Sequence, residues 1–203
     1  MLSEKTLNQV KAQIDKINNK LKAEAEQELS SGKKIKEVLD HLVDRAVRKF
    51  TPESKRLMGS IYNVLSNETL QAEFFQNPAH QEAFYKRNIE KDIKDSFSFE
   101  VPDRIDYNSS ENHIDTWISS VVVVGSGLVS IGIKNPAPIA IAGVLVALYY
   151  LFIKKLIEGD KQQDQTALID AYLTAIKDTL VRWLENMADY YDKQVEALKL
   201  GLR

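Results

Sequence analysis

The stretch from Trp117 to Ile153, WISSVVVVGSGLVSIGIKNPAPIAIAGVLVALYYLFI, constrains the rest of the chain most, because its only charged side chain is Lys134. A run this apolar must be buried, in lipid or beneath other helices. Asn135, Pro136 and Pro138 interrupt it. Proline lacks the backbone donor that a continuing helix needs, so the run divides into two apolar arms joined by a tight turn. Each arm is about 17 residues long, at the short end of what spans a hydrocarbon core as a helix. The pattern predicts an apolar, membrane-directed hairpin over 117–153.

The flanks of this run suit a membrane interface. Trp117 stands at one end, and Tyr149, Tyr150, Lys154 and Lys155 stand at the other, where aromatic rings and snorkelling lysines sit at headgroup level. Both ends of a spanning hairpin emerge on one side, and the lysine pair assigns that side to the cytoplasm. The N-terminal MLSEKTLNQVKAQIDK is amphipathic and mixed in charge, without the apolar core of a secretory signal. The expected location is therefore a membrane with both termini cytoplasmic, the alternative being a soluble cytoplasmic form that inserts on a trigger.

Within the hairpin, Ser119, Ser126, Ser130 and Lys134 fall on one face at 100° per residue, while Ala140, Gly143 and Ala147 form a small-residue face on the second arm. In lipid such faces let helices approach closely, and hydroxyls can bond back to the backbone, so helix packing is one reading and a pore-lining face the other. Val121 to Val124 are β-branched and glycines follow, so helix propensity in the first arm is poor.

The flanking sequence is amphipathic and helical. Leu7, Val10, Ile14, Ile17 and Leu21 recur at spacings of three and four, the narrow seam of a coiled coil, beginning behind a Ser3 cap and ending near residue 30. That seam requires a partner helix, either the long C-terminal helix or a second subunit. Ile35 to Phe50 carries a wider stripe. Thr51 and Pro52 are read as the start of a third helix, Asn67 of a fourth with Leu70, Phe74 and Phe75, and Asn77-Pro78 of a fifth through Phe84, Ile89 and Ile93. Residues 1–95 thus form an amphipathic domain of about five helices, 96–116 a linker, 117–153 the hairpin, and 154–203 one long amphipathic helix beginning after Gly159-Asp160. The expected fold class is all-α, an elongated amphipathic bundle or coiled coil carrying the apolar hairpin.

Few features point to chemistry. The chain has no cysteine, no phosphate-binding loop, no HExxH and no nucleophile elbow, so neither enzyme activity nor a cofactor is expected. Glu37, His41 and Asp44 share a helical face, but the Glu-x-x-His pairs of a di-iron bundle do not occur. Residues 33–56 carry eight Lys or Arg against four acids, and residues 57–115 carry five against eleven. The basic band is broken by acids and lacks interleaved aromatics, so no nucleic acid is expected, and Arg45, Arg48 and Lys49 are the candidate lipid-headgroup contacts.

This layout resembles that of α-helical pore-forming toxins, such as colicin channel domains and the cytolysin A type, in which amphipathic helices sheathe an apolar hairpin until insertion. The resemblance is one of architecture, and colicin channel domains end at their hairpin whereas this chain runs on. The expected function is an oligomerising, membrane-inserting protein that forms a pore or permeabilises a bilayer through 117–153. The alternative is a hairpin-anchored cytoplasmic scaffold that recruits a protein partner through its coiled-coil helices. Expected partners are membrane lipid and further copies of the chain. If the small-residue face joins helices, Gly143→Phe will change the oligomer size of the detergent-extracted protein by light scattering; an unchanged size would dismiss that interface.

Overall fold

A computed structural model describes residues 2–97 and 165–202. Among them every regular element is helical and no strand occurs. Helix α1 spans Glu4–Ser30, α2 Ile35–Gln71, a 3-10 turn Glu73–Gln76, α3 Pro78–Arg87, α4 Ile89–Ser96 and α5 Gln165–Gly201. The hairpin of 117–153 and its flanks lie outside the described residues. Among the described residues no helix is long and apolar enough to cross a membrane.

Local chemistry sets the ends of α1. Ser3 Oγ accepts from the Thr6 amide at 3.2 Å, satisfying one of the donors that a helix start leaves open. At the other end Gly32 adopts φ 89°, a conformation that side chains resist. The Lys33 amide then donates to Glu28 O at 3.3 Å and the Gly32 amide to Leu29 O at 3.0 Å, a Schellman closure. The short connection 31–34 reverses the chain, so α1 and α2 run antiparallel.

Helix α2 differs from the expectation of a break at Thr51-Pro52. It continues to Gln71 with Pro52 inside it, and Asn67, read as a further start, lies within the same helix. The physical reason is phase. Val47, Phe50, Ser54, Leu57, Met58, Ile61 and Leu65 extend the buried stripe begun at Val38, so a break would turn half of it from the core. Pro52 itself faces solvent. Nearby hydroxyls bond back to the backbone: Thr51 Oγ1 donates to Val47 O at 2.6 Å, and Ser54 Oγ to Thr51 O at 2.9 Å. Phe74 and Phe75 fall in the 3-10 turn instead of a helix of their own.

The Asn77-Pro78 signal does open a helix, with Asn77 Oδ1 accepting from the Ala79 amide at 2.9 Å. The helix expected to run on through Ile93 is divided at Asn88, which sits at φ 50°, ψ 50°. Asparagine tolerates that left-handed conformation, and its side chain accepts from the Lys91 amide at 3.4 Å to begin α4. The division leaves Phe84, Ile89, Ile93 and Phe97 all buried.

Helices α1, α2 and α5 each pack on the other two. Asn18 Nδ2 donates to Leu173 O at 2.9 Å, Lys22 pairs with Asp170 at 2.6 Å, and Lys177 with Asp15 at 2.6 Å. Rising numbers on α1 meet falling numbers on α5, so these two are antiparallel and α5 runs parallel to α2. The 37 residues of α5 make a rod about 55 Å long. The 3-10 turn packs on α2, while α3 and α4 lie on the C-terminal half of α5. There Arg87 Nη2 donates to Gln194 Oε1 at 2.5 Å, and the Phe97 ring lies 6.4 Å from Trp183 and 5.6 Å from Tyr190. One hydrophobic core takes in residues from every described helix.

Restoring a backbone donor on the solvent side of α2 is expected to stabilise the bundle. Pro52→Ala should raise urea-unfolding stability by roughly 1–3 kcal/mol, and a fall would show that the helix is shaped around the ring.

Candidate functional site

The largest assembly of interacting charges among the described residues joins the last turns of α1 to the first turns of α2. Glu24 and Glu28, four apart, occupy one face of α1, while His41, Arg45 and Lys49, also four apart, occupy the facing side of α2. Glu28 Oε2 accepts from His41 Nδ1 at 2.7 Å and from Lys33 Nζ at 3.0 Å, and Glu28 Oε1 accepts from Arg45. Glu24 Oε1 accepts from Lys49 Nζ at 2.9 Å, with Arg45 Nη1 3.7 Å from its other oxygen. The Glu28 side chain is only 12% exposed, so its charge depends on these partners and removing one would leave it poorly compensated.

Electrostatics follow this arrangement. The hydrogen bond from Lys49 holds the Glu24 carboxyl below the usual glutamate range, with burial opposing it and the charges of Lys49, Arg45 and Lys20 adding to it. Beside the cluster, burial pushes the Asp40 carboxyl up against the opposing charge of Lys36. On α1 the hydrogen bond to Asp170 raises the Lys22 ammonium above its ordinary range. At the far end of the bundle burial pushes the Tyr191 phenol up to about 12, and its hydroxyl donates to Thr69 Oγ1 at 2.8 Å.

Two of the three residues expected to meet lipid headgroups, Arg45 and Lys49, are engaged with α1. The third, Arg48, is exposed and pairs with Asp44 at 3.1 Å on its own helix. Within the α1 seam, Val10, Ile14 and Leu21 are buried, whereas Leu7 and Ile17 are half-buried. Asn18 and Ala25 complete the buried face, and Asn18 Oδ1 has no hydrogen-bond partner among the described residues. The partner helices of this seam are α2 and α5 of the same chain.

His41 bonds to Glu28, and His80 stacks on Phe74 at 4.3 Å and bonds to its carbonyl at 2.8 Å. Among the described residues no group of His, Asp and Glu is placed to hold a metal ion. The hairpin residues Trp117, Lys134, Asn135, Pro136, Pro138, Tyr149, Tyr150, Lys154 and Lys155 lie outside the described residues. So do Ser119, Ser126, Ser130, Ala140, Gly143 and Ala147.

The interhelical ladder was hidden in the sequence, where Glu24 and Glu28 look like a charged tail closing α1. Its signal is the matched spacing of four on either side of the 31–34 turn, acids before and bases after. Asn18 escapes because polar residues count as outward-facing in a heptad stripe, and only the position of α5 turns it inward.

The structure also fixes where residues 98–164 attach. The chain leaves at Phe97, against Trp183 and Tyr190, and returns at Gln165. Trp183 and Gln165 are 18 residues apart on α5, about 27 Å along its axis. Gln165 stands at the end of the bundle that holds the α1–α2 turn, since Asp170, five residues further on, pairs with Lys22 of α1.

Compared with protein-family models, with curated proteins and with solved structures, the chain matches none. The likeness to α-helical pore-forming toxins therefore rests on the sequence layout alone.

The ladder carries a pH signature. A carboxyl whose folded pKa is lowered contributes stability above its unfolded pKa, and that contribution is lost as pH falls through the folded value. Glu24→Gln is accordingly expected to lower stability at neutral pH and to flatten its decline below the ordinary glutamate range, as read from urea-unfolding midpoints against pH. A parallel decline in both proteins would remove Glu24 from the acid response.

Proposed function

We propose that this protein acts on a lipid bilayer, its 117–153 segment entering the membrane as a hairpin and copies of the chain associating to permeabilise it. The observation that carries this reading is the concentration of apolar sequence: 37 residues with a single charge, Lys134, in a chain whose mean hydropathy is −0.30. Burying such a run in hydrocarbon is strongly favourable, and the turn residues Asn135, Pro136 and Pro138 let it enter and return.

The bundle supports the reading by the way it is built. The apolar faces of α1, α2 and α5 are turned toward one another, with Ile14, Leu42, Phe50, Ile176 and Leu184 fully buried. The α1 seam is occupied within the chain, which disfavours recruitment of a partner through it. Association of copies is thereby left to the small-residue and serine faces of the hairpin, where close approach and a polar path are compatible in an oligomer.

The purified chain is expected to float with liposomes in a density gradient and to release an encapsulated dye. Flotation without release would reduce the hairpin to an anchor and favour the scaffold. A chain that stays at the bottom of the gradient would end both readings.

A further inference from the structure

We propose that the end of the bundle formed by the α1–α2 turn is the surface that rests on an anionic bilayer, with Lys34 and Lys36 meeting lipid phosphates and carboxylates. This rests on the reading of 117–153 as the lipid-entering segment, and it locates the membrane relative to the described helices.

The first argument is covalent reach. Between Ile153 and Gln165 lie the eleven residues 154–164, which span at most about 40 Å even when fully extended. Helix α5 is about 55 Å long, so a bilayer entered by Ile153 cannot lie beyond the far end of the bundle, where α5 terminates at Gly201. Gln165 stands at the opposite end, about one helical turn from Ser31 in the α1–α5 register set by Lys22 and Asp170. The nearest transverse face that the bundle can offer a membrane is therefore the one carrying the turn.

The second argument is charge. Lys34 and Lys36 are exposed; neither makes an ion pair within 4 Å among the described residues, and Lys36 acts on the Asp40 carboxyl only through its charge, four residues along α2. Lys33 beside them is paired with Glu28 at 3.0 Å and stays with the interhelical ladder. The acids nearby are Glu37, which is exposed, and Asp40, which is half-buried and whose carboxyl burial pushes up. Glu26 and Asp170, further along, are both paired with Lys22. The first turn of α2 adds positive potential here, since no side chain caps its open amides.

Folding thus removes Arg45 and Lys49 from the basic band by pairing them, and leaves the turn lysines available. Each lysine near an anionic surface contributes about 1 kcal/mol, so removing two is expected to weaken binding roughly 30-fold. The experiment compares the full chain with Lys34→Ala/Lys36→Ala in flotation on phosphatidylcholine vesicles with and without phosphatidylserine. Lys91→Ala/Lys193→Ala, exposed and at the far end, serves as the control.

The expected result is a loss confined to the turn variant and to serine-containing vesicles, abolished by high salt, with thermal midpoints unchanged. The charge-reversed Lys34→Glu/Lys36→Glu should lose more. Equal binding of the turn variant, or an equal loss in the far-end control, overturns the orientation while leaving the hairpin reading intact. If the parent chain floats with neither vesicle, the membrane reading itself is overturned and the orientation with it.

Discussion

The mutual burial of the apolar stripes on α1, α2 and α5 is the interaction on which the rest of the structure depends. An amphipathic helix within a protein gains most of its stability from covering its apolar face, and each of these three covers its face with the other two. Three such faces close a core, and every other feature is placed with respect to it. Polar contacts fix how the helices slide past one another. Asn18 reaches the Leu173 carbonyl, with Lys22 and Asp170 paired about one turn to one side of it and Lys177 and Asp15 about one turn to the other. A shift of one turn would separate both ion pairs and leave the Asn18 amide without its acceptor.

The same packing rewrites the electrostatic map. Along the chain, residues 33–56 form a basic band of eight cations. In the folded protein Arg45 and Lys49 turn into the α1–α2 interface to meet Glu24 and Glu28, and Arg48 and Arg56 pair along their own helix with Asp44 and Glu53. Lys33 pairs with Glu28, and what remains outward at the turn is a smaller set, Lys34 and Lys36. A surface charge acts on a partner only when it is not already answered at short range, so the band's sequence density overstated its reach and misplaced its centre.

Attachment geometry links the bundle to the proposed membrane activity. The apolar run lies between Phe97, which follows α4 and packs on α5, and Gln165, where α5 begins, with 19 residues before Trp117 and eleven after Ile153. Gln165, eleven residues after Ile153, stands at the end of the bundle that holds the α1–α2 turn. In the proposed function, the eleven residues between Ile153 and Gln165 would couple entry of 117–153 into lipid to the approach of the basic turn to headgroups.

Much of the helical fold was legible from residues alone. The Ser3 cap, the end of α1 near residue 30, the Asn77-Pro78 start and the long stripe of α5 are set by hydrogen-bonding chemistry and periodicity within a few neighbours. Local rules failed where distant burial outweighed them. Pro52 carries a strong signal to start a helix, yet the stripe on either side keeps one phase, and burying both halves against α1 and α5 outweighs the lost donor. Asn88 carries a weak signal and nevertheless divides a helix, because the division lets both halves reach the α5 side of the core. By itself the sequence determined that the chain is helical, where most helices begin and end, and that one segment is too apolar for water. Only the tertiary structure decided which helices cover one another, which cations stay free and which end of the bundle the apolar segment is tied to, because these depend on contacts between residues far apart in the chain.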